Sequence, residues 1–282
     1  MRIYRAIPLL ALLFAAAVLN GCGKKLDSRP LDRQIKIDGR DDEWRDARIY
    51  LDNLQASFGL LNDGDYLYLS LGLTDPVRQR QVLATGFTVW FDAEGKKGKT
   101  FGVRFPLGMR EALESTQPMG AGGVPGQRGG KGMRGMRGRA GGPTADNDPS
   151  QMQRLFDKTM QRPELEIIGP HPHQTRRLGL DETGAVQLGV GYHRGRLVYE
   201  ARIPFIEIYA RAGDGPTLDK PLGLGLETPA FNPAALRGRG GGMRGPMGGG
   251  RGMGRGGARG MSSRPEPLSY WAKVQLAQPQ KE

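Results

Sequence analysis

The chain has one cysteine in 282 residues. A lone thiol closes no internal disulfide, so Cys22 has no part in cross-linking the fold. After the N-terminal stretch, no segment approaches the 18 apolar residues that a spanning helix needs. Nucleophile motifs, metal-ligand clusters and identifiable carboxylate pairs are also missing. The glycine-rich runs lack the strand–turn–helix setting and the Lys-Ser/Thr of a phosphate loop. Without a carboxylate pair, glycoside hydrolysis has no candidate residues. These absences imply a non-catalytic protein, with Glu200 read as a hydrogen-bonding strand residue rather than an acid catalyst.

Acid is absent from two long segments, and this absence locates the net charge. Gly120–Gly142 holds Arg128, Lys131, Arg134, Arg137 and Arg139 with no Asp or Glu. Arg237–Arg264 holds Arg237, Arg239, Arg244, Arg251, Arg255, Arg259 and Arg264, again with none. Five and seven basic residues are the whole formal charge of +12, so the rest of the chain is balanced. The same segments hold 24 of the 45 glycines. Glycine loses the most backbone entropy on ordering, and little apolar surface is there to offset it, so the sequence predicts two disordered low-complexity insertions, 118–149 and 233–266. Aromatic residues, which RNA-binding Arg/Gly tracts intersperse, are missing, which argues against nucleic acid. An anionic polymer such as lipopolysaccharide or acidic polysaccharide is the better partner, with Arg134, Arg137, Arg139, Arg244, Arg251, Arg255 and Arg259 as candidate contacts. A solvated linker is the alternative. Met133 and Met136 have a copper(I)-like spacing, but flanking arginines repel a cation.

Arg2 and Arg5 precede an almost unbroken apolar run from Ile7 to Leu19, the length of a signal-peptide core. Leu19-Asn20-Gly21-Cys22 then resembles the lipobox of bacterial lipoproteins, with Asn20 where that family usually has Ala or Ser. The resemblance implies cleavage before Cys22, a diacylglyceryl anchor on its sulfur, and membrane attachment through lipid alone. Gly23, in place of an inner-membrane-retaining Asp, favours the outer membrane of the cell envelope. The expected organisation is a signal peptide (1–21), a tether (22–34), a folded domain (35–276) interrupted by the insertions, and a tail (277–282).

Tyr66–Leu73 alternates strictly, Leu on one face and Tyr, Tyr, Ser and Gly on the other. Gly86–Phe91 alternates too, followed by a turn over Asp92–Gly98 and a strand over Thr100–Phe105. Further strands are predicted over Val186–Tyr192, Leu197–Phe205, Leu222–Thr228 and Tyr270–Leu276, with a hairpin at Arg194-Gly195. Helical periodicity is confined to Ser150–Met160, where Met152, Leu155, Phe156 and Met160 share a side. The fold class is all-β, an antiparallel sandwich with one short helix.

Ile35-Lys36-Ile37-Asp38-Gly39-Arg40-Asp41-Asp42-Glu43-Trp44 resembles the opening of family 9 carbohydrate-binding modules and related DOMON-like domains. Asn62–Leu69, Asp75, Phe91-Asp92 and Tyr199–Phe205 match later motifs of that family in order. The resemblance implies a jelly-roll or DOMON-like sandwich that binds glycan. Sugar binding needs aromatic faces for stacking, and alternation sorts the candidates. Trp44 reads as a core residue. Tyr66, Tyr68, Trp90 and Trp271 fall opposite the apolar stripes and form a candidate aromatic platform. Asp63, Asp65, Asp75, Asp92 and Glu94 are calcium candidates near turns, without a full coordination-loop spacing. His171 and His173 lack a third ligand. A haem-binding reading would draw on Met109 and His193, and an envelope structural or assembly role on the arginine segments. No cofactor is expected otherwise. The anchor has a direct check: labelled palmitate is expected to enter the chain, and Cys22→Ser to abolish both that label and partitioning into detergent; a labelled, detergent-partitioning variant would refute it.

Overall fold

The computed structural model describes residues 24–109, 149–161, 163–171, 173–210, 213, 217–230 and 266–278. Thirteen strands occur among them: β1 (Lys24–Asp27), β2 (Arg29–Pro30), β3 (Arg48–Leu51), β4 (Ala56–Asn62), β5 (Tyr66–Leu73), β6 (Thr88–Asp92), β7 (Phe101–Arg104), β8 (Glu164–Ile168), β9 (Thr175–Gly179), β10 (Gln187–His193), β11 (Arg196–Pro204), β12 (Leu222–Glu227) and β13 (Ser269–Gln275). One sheet runs β1-β13-β12-β6-β7-β8-β9; the other runs β10-β11-β5-β4-β2, with β3 also on β4. The inward residues of both make one core, from Leu67, Leu69 and Leu71 on one side to Phe91, Phe101 and Leu224 on the other. The molecule is an all-β sandwich.

Every strand expected from alternation is present to within two residues at each end. The hairpin at Arg194 and Gly195 has φ of 52° and 77°, the paired positive values of a type I′ turn that match strand twist. The helix expected over Ser150–Met160 is α2 (Pro149–Thr159), with Met152 buried and Leu155, Phe156 and Met160 packed against the core.

Two helices were not legible. α1 (Pro76–Thr85) follows an Asp75 N-cap whose Oδ1 accepts from the Val77 amide at 3.1 Å, with proline in its first turn. Its buried side includes Gln79 and Gln81 beside Val82 and Leu83, so the apolar period is diluted by glutamines. Gln79 is buried because its amide donates to the carbonyls of Leu73 and Gly195, at 2.8 and 2.7 Å. α3 (Phe205–Tyr209) is a single short turn directly after β11.

The expected tether is a correction. β1 pairs parallel with β13 and β2 pairs parallel with β4, so residues 24–30 join both sheets. Short charged segments such as Lys24–Asp27 have no strand signal of their own; they are strands because the edges of β13 and β4 supply partners. The sandwich is therefore antiparallel except at these two pairs. At the other end, the Ala277 amide donates to Ser28 Oγ and Asn62 Oδ1, tying the start of the expected tail back to the fold.

Residues 31–47 form a third layer over the outer face of the six-stranded sheet. Trp44 is fully buried there in a second apolar cluster with Ala47, Leu61 and Tyr68, flanked by Leu31, Ile35, Ile37 and Tyr66. Glu200 on β11 holds this layer. Its Oε1 accepts from Trp44 Nε1 at 2.7 Å, and its Oε2 from the amides of Gly39 and Asp38 at 2.8 and 3.1 Å. Gly39 has φ of 78°, and a Cβ there would lie 2.5 Å from the Gly191 nitrogen. The Asp-Gly turn of the opening motif is thus required for backbone to lie directly on β10.

Burial pushes the Glu200 carboxyl up to about 7, outweighing the three N–H donors that favour its charged form. The folded state therefore holds a proton that the unfolded chain, at 4.5, releases. Stability from this group is fully present below pH 4.5 and is lost as pH rises through about 7. In denaturant unfolding, the wild type is expected to lose up to about 3 kcal/mol relative to Glu200→Gln between those limits. A difference independent of pH would contradict this.

Candidate functional site

The outer face of the seven-stranded sheet carries the two part-exposed tryptophans. On β6, Val89 and Phe91 point into the core, which turns Thr88, Trp90 and Asp92 outward. β13 buries Tyr270, Ala272 and Val274, turning out Trp271 and Lys273. β12 lies between them and reads Leu-Gly-Leu-Gly-Leu-Glu, with all three leucines at 0 % exposure. Its outward positions are Gly223, Gly225 and Glu227. The register sets Gly225 directly between Trp90 and Trp271.

Glycine on the outward positions decides how the indoles lie. A Cβ on Gly225 would be 2.6 Å from Trp271 Cζ2, and one on Gly102 of β7 would be 2.5 Å from Trp90 Cε3. Each indole therefore lies down across the glycine of its neighbouring strand, Trp271 over β12 and Trp90 over β7. Glu227 pins both. Its Oε2 accepts from Trp90 Nε1 and its Oε1 from Trp271 Nε1, each at 3.1 Å. Lys99 pairs with the same carboxylate, and its ammonium stands 5.5 Å from the Trp90 ring centroid. One carboxylate orients two rings and a cation.

A polar row runs beside the tryptophan row, since Glu227 pairs with Thr88, Thr88 with Arg104, Arg104 with Glu166 and Glu166 with Arg177 in register. Arg104 and Glu166 are ion-paired at 3.2 Å. Part-exposed aromatic faces beside hydrogen-bonding groups can stack on an apolar ring face while meeting its hydroxyls.

The expected four-residue platform does not exist as one surface. Tyr66 and Tyr68 are on β5, in the opposite sheet. The Arg202 guanidinium lies 3.6 Å from the Tyr66 centroid, and Tyr68, buried under the third layer, donates its hydroxyl to Asp63 Oδ2 at 3.0 Å. Alternation says which side of a strand a residue takes, not which sheet the strand joins. Glu227, Gly225, Gly102 and Lys99 were missed, although the alternating glycines of β12 were readable as room for large neighbours.

The turn carboxylates serve the backbone. Asp63 Oδ1 accepts from the amides of Asp65 and Tyr66 at 2.8 and 2.6 Å. Asp92 is buried, its two oxygens accepting from Glu94 and Gly98 amides at 3.1 and 2.7 Å. Asp65 is exposed, and its carbonyl accepts from the Phe205 amide. Among the described residues no three His, Cys, Asp or Glu side chains cluster as a metal site. His171 and His173 are exposed, and His193 lines a cleft of about 700 Å³ with Arg40, Asp41, Arg194 and Arg196. In that cleft Asp41 is taken by Arg48 and Arg196, at 2.5 and 2.8 Å. Cys22, Met133, Met136 and the seven candidate insertion arginines lie outside the described residues.

No family model and no curated protein matches this chain. Among solved structures it is similar to a family 9 carbohydrate-binding module from Caldicellulosiruptor kristjanssonii in complex with glucose, at 10% identity and a TM-score of 0.38, covering 92% of this chain and 98% of that one. A family 9 module from the same organism in complex with cellotriose is similar at 11% identity and a TM-score of 0.33, covering 75% of this chain and 80% of that one. Glu227→Ala is expected to free both indoles, raising iodide quenching of their fluorescence and costing about 1–2 kcal/mol in urea unfolding; unchanged quenching and stability would contradict the pinning.

Proposed function

We propose that this chain is a non-catalytic, lipid-anchored carbohydrate-binding protein of the cell envelope. The observation that carries the reading is the Trp90–Glu227–Trp271 arrangement: two part-exposed indoles held flat on one sheet face by a shared carboxylate, with hydrogen-bonding side chains alongside. Fixing the rings before binding lowers the ordering cost that a ligand would otherwise meet. Anchoring rests on the Cys22 motif. The described fold begins at Lys24, two residues on, so a lipid on Cys22 would hold the sandwich directly against the membrane. Gly23 supports the outer membrane.

A second reading, an envelope structural or assembly factor that holds anionic polymer, is favoured by where the arginine-rich segments are rooted. The chain leaves for the first beside α1, where a Cβ on Gly108 would meet the Thr85 carbonyl carbon at 2.7 Å. α2, which follows that segment, meets α1 at its far end, where the Thr159 hydroxyl donates to the Leu83 carbonyl at 3.3 Å. From the second the chain rejoins at Glu266, whose carbonyl accepts from Arg78 and Gln81 of α1 at 2.9 and 3.0 Å. The described residues Gly108, before the first segment, and Glu266, after the second, thus both meet α1.

One experiment separates the readings: retention of the full chain on neutral polysaccharide and on heparin, in low and high salt. Trp90→Ala and Trp271→Ala are each expected to weaken neutral-polysaccharide retention several-fold, with little salt dependence. Deleting both arginine-rich segments is expected to abolish the salt-sensitive heparin retention instead. Unchanged neutral retention in both tryptophan variants would reject the glycan reading.

A further inference from the structure

The way the two indoles lie bears on the shape of the ligand. A pair of rings that closes on one sugar must stand up from the surface and face each other across a gap. Trp90 and Trp271 do neither. Both belong to one sheet face, and both lie across a glycine of the adjacent strand, leaning in the same direction along the row. Both indole nitrogens are tied to Glu227, so neither ring is free to rise.

Their spacing is set by the sheet. β6 and β13 are separated by β12 alone, so the attachment points are two strand spacings apart, about 9.6 Å. In a β-1,4-linked chain of equatorial pyranoses, successive rings turn over, and every second ring presents the same face. Two strand spacings are roughly the length of one such disaccharide repeat. The row past Trp90 stays low enough for a chain to continue, since its next outward positions are Gly102, Ile168 and Thr175 in register. Beside it runs the parallel row of Glu227, Thr88, Arg104 and Glu166, in which Thr88 is buried and the part-exposed Glu227, Arg104 and Glu166 offer hydrogen-bonding groups to equatorial hydroxyls at the ribbon's edge. The side chain of Lys99 is 52% exposed, so a sugar ring on Trp90 has to displace only a largely solvated ammonium and its ion pair with Glu227.

We propose that this face binds an extended, flat β-1,4-linked glycan lying across the strands, with alternate sugar rings stacked on Trp271 and Trp90. The proposal rests on the glycan-binding reading and goes beyond it by specifying the ligand's shape and axis. A ribbon lying across the sheet reaches both indoles only once it is about three rings long. A helical α-1,4-linked chain curves away from a flat face and cannot keep the same phase.

The test is calorimetric titration of the full chain in detergent with β-1,4-linked glucose oligosaccharides of one to six units, alongside the α-1,4-linked series. Affinity is expected to step up roughly five- to tenfold between the disaccharide and the tetrasaccharide in the β series and to show no such step in the α series. Trp90→Ala or Trp271→Ala is expected to remove the step while leaving the short-oligosaccharide affinity within about twofold. Trp→Phe at each position, which keeps a flat ring and the packing on glycine, is expected to retain part of it. Trp-dependent binding that is as tight for glucose as for the hexasaccharide would overturn the extended-chain proposal and leave glycan binding standing. Binding to neither series, or binding indifferent to both tryptophans, would overturn the glycan reading itself.

Discussion

Three N–H groups from residues 38–44 converge on the carboxylate of Glu200, which is itself fully buried. A buried carboxylate left without those donors would be costly, and the donors would be equally orphaned without it. The interaction therefore holds the whole opening segment on the outer face of the six-stranded sheet. With that segment in place, Trp44 completes a second apolar cluster and Tyr68 becomes buried. One sheet of the sandwich is consequently covered on both faces. Among the described residues no such layer lies over Trp90 and Trp271 on the other sheet, and this asymmetry puts the candidate site there.

A comparable economy appears on the exposed sheet. Glu227 accepts from two indoles and pairs with Lys99, so a single acidic residue at the end of β12 organises side chains from β6, β13 and the loop before β7. The glycines opposite make the arrangement sterically possible. Both sites thus pair a strand glutamate with indole N–H groups and with glycines that admit close approach, but to opposite ends. In one the tryptophan is sealed into the fold; in the other two tryptophans are laid out on its surface.

The ends of the chain and its basic segments share a further consequence of the pairing scheme. Strands β1 and β2 draw residues 24–30 into both sheets, leaving almost no slack after Cys22. The described residues Gly108 and Glu266 meet α1, a helix whose buried Gln79 links it to β5 and to the β10–β11 hairpin.

Alternation in the sequence by itself determined the strands with one apolar face, the single amphipathic helix, the all-β class and the outward placement of Trp90 and Trp271. Period-two patterning is a local property, and burial of one face is enough to write it. β4 was not legible because both its faces are buried, and α1 because glutamines occupy buried positions where they find the carbonyls of Leu73, Gly195 and Glu266. β1 and β2 exist only because other strands have edges to offer. Which aromatics share a surface was likewise decided by tertiary structure: Tyr66 and Tyr68 alternate as convincingly as Trp90, yet sheet membership and the Glu200-held layer remove them from it. Pairing partners far apart in sequence carry that information, and no local pattern records it.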